Sequence, residues 1–389
     1  MVQVLIAKER ADEPRVAATP ETVKAMLALG LDVELERGAG AGSFIGDASF
    51  EAAGAKLVEP GSRWGAADLV LRVRGPEAAS EPGLGELRAG ASLIGFITPH
   101  KHLELVKFYA ENNISCFAME LVPRITRAQK MDALSSQANI AGYKAVLMAA
   151  AHLPKYFPML MTAAGTVKPA KVVVMGVGVA GLSAIATARR LGALVEASDI
   201  RPASKEQVLS LGAKFIEPPA LEGGGEAEGG YAKQVSEDYL KRQQVVVAEH
   251  CANADVVITT ALVPGRAAPV LLTRETVERM RPGSVIVDLA VEAGGNCELS
   301  RVGQDVRHNG VLILGESNIP GTMPTDASML YARNVLALVQ HLVKDKQLVL
   351  ELEDEVTGGT LLTHAGQVLH EPTAKLVADS AKKDDEADA

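Results

Sequence analysis

The chain has 389 residues, 48% hydrophobic but only 4% aromatic, with 36 glycines and a formal net charge of −9. That length allows two domains with substantial cores, and a Gly-, Ala- and Val-rich composition suits close helix–sheet packing better than a sandwich or a disordered chain. The acidic balance argues against nucleic acid as a partner, because that needs a basic face.

The start, "MVQVLIAKER", reads as a strand and has no signal-peptide layout. From there to about residue 120, short β-rich runs ("VQVLIA", "DVELERG", "DLVLRV", "SLIGFI", "ISCFAME") alternate with helical stretches such as "TPETVKAMLALG". This alternation is the mark of βαβ units and a parallel sheet. "GAGAGS" (38–43) lacks the closing glycine of a nucleotide turn and is read as an ordinary turn.

A polar segment, "PRITRAQKMDALSSQAN" (123–139), then leads into a helix expected at roughly 130–151. If that helix begins near Ala128, Gln129, Asp132 and Ser136 share one face. Arg124 can donate to a carboxamide, Gln129 can donate and accept, and Asp132 and Ser135 can fix a ring or the arginine. These are positioning groups rather than a proton relay. The plain alternative is a charged helix start, with Asp132 near the positive end of the dipole. The most apolar stretch, "AVLMAAAHL" (145–153), stops at Pro154-Lys155, short of the roughly 20 residues a membrane span needs.

A second βαβ series begins at 171 with "KVVVMG", "LVEASD", "KFIEP", "DVVITTA", "SVIVDLA" and "VLILGE". Its first turn carries Gly176-x-Gly178-x-x-Gly181, and Asp199 closes the next strand. Gly176 permits the tight turn, Gly178 lets backbone approach a pyrophosphate, and Gly181 lets helix and strand pack closely. Val179 offers its N–H at the helix N-terminus. Asp199 is placed to accept from ribose hydroxyls, which favours NAD over the 2′-phosphorylated cofactor; Arg201 either meets such a phosphate or is simply exposed. Gly230 and Tyr231, in the Gly- and Glu-rich stretch 220–234, suit either a linker or a lid. Leu262 follows a strand end, where its backbone can meet an adenosine or merely pack.

Cys116, Cys251 and Cys297 lie far apart without CxxC or Cys–His pairing, so they read as buried thiols, with neither a disulfide nor a metal site expected. A helix at 327–345, a hairpin-like "LVLELED…TLLTHAGQVLH" and a charged tail complete the chain. The expected fold is α/β: two doubly wound, Rossmann-like parallel sheets with a cleft between them, bridged by two long helices. One domain comprises 1–134 with 323–377, the nucleotide domain 135–322, and 378–389 a disordered tail.

"KER…EPRVAATPETV", "GAGAGSFIGDASFEAAGA", "MGVGVAG", "TTALVPGRAAPVL" and "VIVDLAVEAGGNCE" together resemble the alanine dehydrogenase/nicotinamide nucleotide transhydrogenase superfamily over about residues 1–370. "ELVPRITRAQKMDALSSQANIAGYKAV" and "GGYAK" resemble its NAD(H)-binding alpha-1 branch of proton-translocating transhydrogenases. The resemblance implies that Arg124, Gln129 and Asp132 hold the nicotinamide and its ribose, and that Tyr231 folds over the cofactor. It also implies NADP(H) on a partner beta subunit, a membrane-spanning subunit, a homodimer, and a peripheral position on the cytoplasmic face of the membrane.

The dehydrogenase branch pairs a substrate-binding Arg with a Lys, a His and an Asp. Here those positions carry Arg15, Arg74, Thr98 (with His100 and His102 shifted onward) and Glu292. Amino-acid oxidation moves a proton as well as a hydride, and Arg74 cannot act as the base. These departures count against an alanine-dehydrogenase-like enzyme and favour direct hydride transfer between two nicotinamides, which needs no such base; that enzyme and a catalytically silent NAD sensor are the alternatives.

Overall fold

Branched aliphatic runs bounded by turns form the strands. The computed structural model describes residues 1–217, 237–262 and 265–387, and the chain divides into two units, Met1–Gln137 with Gly321–Ala389, and Ala138–Pro320. In the first unit Gln3–Ile6 (β1), Asp32–Glu36 (β2), Lys56–Val58 (β3), Leu69–Arg74 (β4), Ser92–Phe96 (β5) and Ser115–Ala118 (β6) run parallel in the order β3-β2-β1-β4-β5-β6. β1, β4 and β5 have apolar side chains buried on both faces, which is why their sequences are almost continuously apolar. Helix Pro20–Ala28 starts at a reciprocal cap between Thr19 and Thr22. Helix Pro324–Leu342 packs Tyr331, Val335, Leu338 and Leu342 against Val4, Ile6, Leu69 and Leu71. Strand Leu361–His364 joins β6 antiparallel.

The second unit opens with a small hairpin, Leu160–Thr162 (β7) and Gly165–Val167 (β8). Lys171–Met175 (β9), Leu194–Ser198 (β10), Lys214–Phe215 (β11), Val256–Thr259 (β12) and Val285–Asp288 (β13) follow, then Asp305–His308 (β14) and Val311–Leu314 (β15). The sheet order is β11-β10-β9-β12-β13-β15-β14, parallel except for β14. Both units thus share one six-strand winding. Each reverses direction beside its first strand, between β1 and β4 and between β9 and β12, and ligands bind doubly wound sheets beyond the carboxyl ends of strands at such a point.

Four details depart from the expected fold. β3, β14 and the β7–β8 hairpin are additional elements; all three are short, and β14 turns into β15 through Asn309-Gly310, both at positive φ, the backbone a two-residue hairpin turn requires. The C-terminal hairpin is not one long pairing. Val343–Lys344 pairs with Gln347–Leu348, and Leu361–His364 with Gln367–Val368, because each has its own two-residue turn at positive φ, Asp345-Lys346 and Ala365-Gly366. The helix expected at roughly 130–151 spans Ala133–His152 and does not start near Ala128, as the shared-face reading requires. The charged tail's residues 378–387 lie within helix Glu371–Ala387, where Lys375 sits 3.8 Å from Glu371 one turn away.

Candidate functional site

At the carboxyl end of β9, Gly176 turns the chain at φ 93°, and a Cβ there would fall 2.6 Å from Thr260 Oγ1. Gly178 precedes helix Val179–Arg190, which no side chain caps, so its leading N–H groups and dipole are free to meet an anion. A Cβ on Gly178 would meet nothing within 4 Å, whereas one on Gly181 would lie 1.9 Å from the Gly176 carbonyl. Packing therefore requires glycine at 181, while at 178 no neighbour among the described residues does. Val179 is 39% exposed, so the turn presents an accessible face. From behind, helix Ala133–His152 braces this helix: a Cβ on Gly142 would fall 1.9 Å from the Ala180 carbonyl, and Ser183 Oγ donates to Asn139 O at 2.8 Å.

Asp199 stands just beyond β10, as its place in the sequence implies. One carboxylate oxygen accepts from Val177 N at 2.7 Å, fixing the glycine turn. Arg201 donates its amide and Nε to the other oxygen at 2.8 and 2.9 Å, and its guanidinium pairs with Asp199 at 2.9 Å. Arg201 is therefore not simply exposed; its fork is turned onto Asp199, two residues away. Leu262 is 48% exposed beyond β12. Gly230 and Tyr231 lie outside the described residues, so the lid reading has no structural counterpart here.

The polar segment differs from its expected form. Thr126–Met131 is a 3-10 turn, and Asp132 breaks it at φ −69°, ψ 83° before the α-helix starts at Ala133. Asp132 caps that helix: its two carboxylate oxygens accept the Ser135 amide at 2.9 Å and the Ser135 hydroxyl at 2.6 Å. Gln129, Asp132 and Ser136 consequently do not share one α-helical face, because the cap resets the helical phase at Ala133. Arg124 and Gln129 are exposed, while Asp132 and Ser135 are half-buried next to each other. The plain cap and the positioning role are compatible, since an ionised carboxylate has acceptor capacity beyond the two bonds seen.

Acids and arginines crowd the switch point of the first sheet. Buried Arg15 forks onto Glu13 at 2.7 and 2.6 Å and donates to Gln137 Oε1 at 2.8 Å. Arg74 meets the same Glu13 at 3.0 Å. Burial pushes Glu13 up, but Arg15 and Arg74 outweigh it and hold its carboxyl below the usual range. Fully buried Arg72 pairs with Glu9 and Glu81, and Glu9 also accepts Val73 N at 2.6 Å. Thr98 sits at φ 52° with its amide, like that of Ile97, on the Glu120 carboxylate; burial pushes Glu120 up to about 7. His100 is exposed and His102 half-buried, and desolvation followed by neighbouring Lys101 (for His102, also Glu77 in the opposing sense) lowers both. Glu292 is exposed on a 3-10 turn.

Several supporting residues lie beyond what the sequence pattern marks. Asp288 is wholly buried and accepts from Thr259 Oγ1, Ala290 N, Cys297 N and Ser300 Oγ. Asn296 accepts from Ala261 N and donates to Ala261 O and Pro269 O, fixing the chain on both sides of Leu262. The available signal is an acid at the end of an apolar strand, "VIVDLA", since buried polar groups persist only when bonded. Among the described residues no cluster of three or more His, Cys, Asp or Glu is arranged to hold a metal, and no helix is long and apolar enough to cross a membrane.

Both halves of the chain have counterparts in known proteins. Residues 5–141 match the description "Alanine dehydrogenase/PNT, N-terminal domain", and residues 145–371 match "Alanine dehydrogenase/PNT, C-terminal domain". The chain belongs to this family. It is 48% identical over 378 residues to an NAD(P) transhydrogenase alpha subunit of Rhodospirillum rubrum, covering 95% of this chain and 98% of that protein. It is similar to the crystal structure of transhydrogenase from Sinorhizobium meliloti at 49% identity and a TM-score of 0.84, covering 94% and 99% of the two chains. Alanine dehydrogenase of Mycolicibacterium smegmatis is more distant, 29% identical over 372 residues, covering 94% of this chain and 93% of that one. The family's α/β architecture, with parallel Rossmann-like sheets, is the one observed.

Proposed function

We propose that this chain is the NAD(H)-binding component of a proton-translocating NAD(P) transhydrogenase. It holds NADH for direct hydride transfer to NADP⁺ on a separate beta subunit, while a membrane-spanning subunit couples that transfer to proton movement. The observation that carries the reading is the uncapped helix behind Gly178, open where a Cβ would point, in a chain 48% identical to a transhydrogenase alpha subunit.

The residues fit a dinucleotide. The Gly176–Gly181 turn and the Val179 N–H receive a pyrophosphate, and Asp199, whose acceptor sites are filled by Val177 N and Arg201, meets the adenosine ribose in exchange for an Arg201 bond. Arg201 takes Asp199 as its partner, which supports NAD over a 2′-phosphorylated cofactor. The Leu262 backbone meets the adenosine. Arg124, Gln129, Asp132 and Ser135 orient the carboxamide and the nicotinamide ribose. When bound, NADH supplies the hydride. Transfer between two nicotinamide carbons moves no proton at those atoms, so the protein's task is orientation and exclusion of water. Arg74, permanently charged, and Thr98, with no group titrating near neutrality, suit that task better than amino-acid oxidation.

The subunit is peripheral on the cytoplasmic face, held there by its partners, and homodimeric. The protruding β7–β8 hairpin supports the dimer, with Met159 58% and Met161 79% exposed beside it and on it; sedimentation of the purified chain tests this. The decisive assay mixes the chain with membranes of the same source stripped of their own copy. NADPH made from NADH and NADP⁺ only when both fractions are present is the expected result. NADH consumed by the chain alone with pyruvate and ammonium replaces the reading with a dehydrogenase. Tight NADH binding with neither activity leaves a silent sensor.

A further inference from the structure

Asn334 lies in the buried middle of helix Pro324–Leu342, between Tyr331 and Val335 of the first unit's core. Its side chain reaches the polar segment at two points. Nδ2 donates to the Lys130 carbonyl at 2.8 Å, in the 3-10 turn, and Oδ1 accepts from Ser136 Oγ at 2.7 Å, in the first turn of the α-helix. These two points flank Asp132, the residue whose non-helical backbone joins turn to helix.

Beside the Asp132–Ser135 cap, the backbone bonds that cross the junction are long. The Asp132 amide reaches the Gln129 carbonyl at 3.3 Å, and the Ser136 amide reaches the Asp132 carbonyl at 3.3 Å, both long for N–H···O bonds. The nearby pair of Arg127 with Asp354 at 2.6 Å leaves Arg127 52% exposed, and such pairs constrain little. The Asn334 bonds are shorter, at 2.8 and 2.7 Å, and part-buried, so each constrains the junction more than the exposed Arg127 pair does. Asparagine is also the residue the geometry asks for, since one short planar group must donate on one side and accept on the other. Aspartate has no donor for the Lys130 carbonyl, and leucine of similar size has neither function.

We infer that Asn334 is a positioning residue for hydride transfer: by tying both flanks of Asp132 it fixes the angle between the turn carrying Gln129 and the helix start carrying Ser135. The inference rests on the transhydrogenase reading and deepens it. Asn334 touches no cofactor in this role; it acts through the groups that orient the nicotinamide. Such groups affect the reacting geometry more than the binding of the adenosine half, so loss of Asn334 separates turnover from affinity.

The test uses the full chain with its NADP⁺-loaded membrane partner. Asn334→Ala, Asn334→Asp and Ser136→Ala are compared with the parent for kcat at saturating NADH, for NADH Kd by cofactor fluorescence, and for stability. The expected result for Asn334→Ala is a fall of about tenfold in kcat, in keeping with the sensitivity of near-attack geometry to small displacements, while Kd stays within about twofold. Asn334→Asp, which lacks the donor, behaves like Asn334→Ala. Ser136→Ala loses one of the two ties and falls less, by about threefold. Parent kcat in folded Asn334→Ala, or a loss confined to stability or to Kd, overturns the inference. Should Asn334→Ala fail to fold, Ser136→Ala decides: reduced kcat with parent Kd supports the inference, and parent kcat overturns it. No NADPH from the parent chain itself overturns the transhydrogenase reading and this inference together, whereas parent activity with unaffected variants overturns the inference alone.

Discussion

Gly178 and Gly181 stand three residues apart in one motif, yet the structure gives them opposite requirements. A Cβ at position 181 would lie 1.9 Å from the Gly176 carbonyl oxygen. Real Cβ contacts essentially never fall under 3.0 Å, so helix and turn must separate by about 1.1 Å in Gly181→Ala. Both atoms are fixed to backbone, so no side chain can swing aside. Overpacking of this kind costs about 1–3 kcal/mol, against a gain of about 1 kcal/mol from replacing glycine by alanine within a helix. The overlap here is with backbone, which places the cost at or above the upper end and predicts a net loss of about 2 kcal/mol. In Gly178→Ala the new methyl meets nothing and φ is −76°, so stability should stay within about 0.5 kcal/mol of the parent. That methyl, however, points into the space assigned to the pyrophosphate. Urea unfolding and NADH titration of both variants form the assay. A Gly181→Ala chain as stable as the parent refutes the close approach, and Gly178→Ala with unchanged NADH affinity refutes the phosphate assignment.

Further outcomes are expected. Asp132→Asn keeps an acceptor for the Ser135 amide and should unfold like the parent while transhydrogenation falls sharply; Asp132→Ala should in addition lose about 1 kcal/mol as a missing cap. Parent turnover in Asp132→Asn returns the residue to capping alone, and Gln129→Asn should lower turnover with NADH still bound. Asp199→Ala should weaken NADH binding by releasing both Val177 N and Arg201, and it should narrow any preference against NADPH because Arg201 becomes available to a 2′-phosphate. Isothermal titration with both cofactors checks this, and unchanged NADH affinity removes the ribose assignment. Glu120, raised from 4.5 to about 7 in the folded chain, keeps its proton longer folded than unfolded. Stability from this partly buried group is therefore fully present below about 4.5 and is lost as pH rises toward 7, with a slope on the order of 1 kcal/mol per pH unit at most. Glu120→Gln should flatten that slope in urea titrations between pH 5 and 8; an unchanged slope rules out Glu120 as its source.

The sequence discloses what short-range chemistry dictates. The strand, glycine turn and Asp199 of the nucleotide motif all stand where their spacing puts them, because each is fixed by neighbours a few residues away. The segment after Pro123 departs from its expected phase. Counting i, i+3 and i+7 from Ala128 presumes an unbroken α-helix, and the Asp132 carboxylate closes on Ser135 and restarts the count. The roles of Asn334 and Gln137 are hidden for another reason: their partners lie 204 and 122 residues away, and no local pattern marks which buried amide meets which partner. For Arg201 the sequence offers a phosphate or solvent, but the structure takes a third option, its own neighbour Asp199, two residues back.

The first unit is made from two separate stretches, residues 1–137 and 321–389, with the second unit inserted between them. During synthesis, β9–β15 are all made before the ribosome reaches Tyr331, Val335, Leu338 and Leu342, which the first unit's core requires. The nucleotide half can therefore close while the earlier half still lacks a helix and an edge strand, Leu361–His364. An apolar face built from β1 and β4 waits through that interval, open to chaperones or to misassociation. Yield from the cell would then be governed by how quickly residues 321–389 follow, and mutations in helix Pro324–Leu342 would deplete the protein before they altered its chemistry.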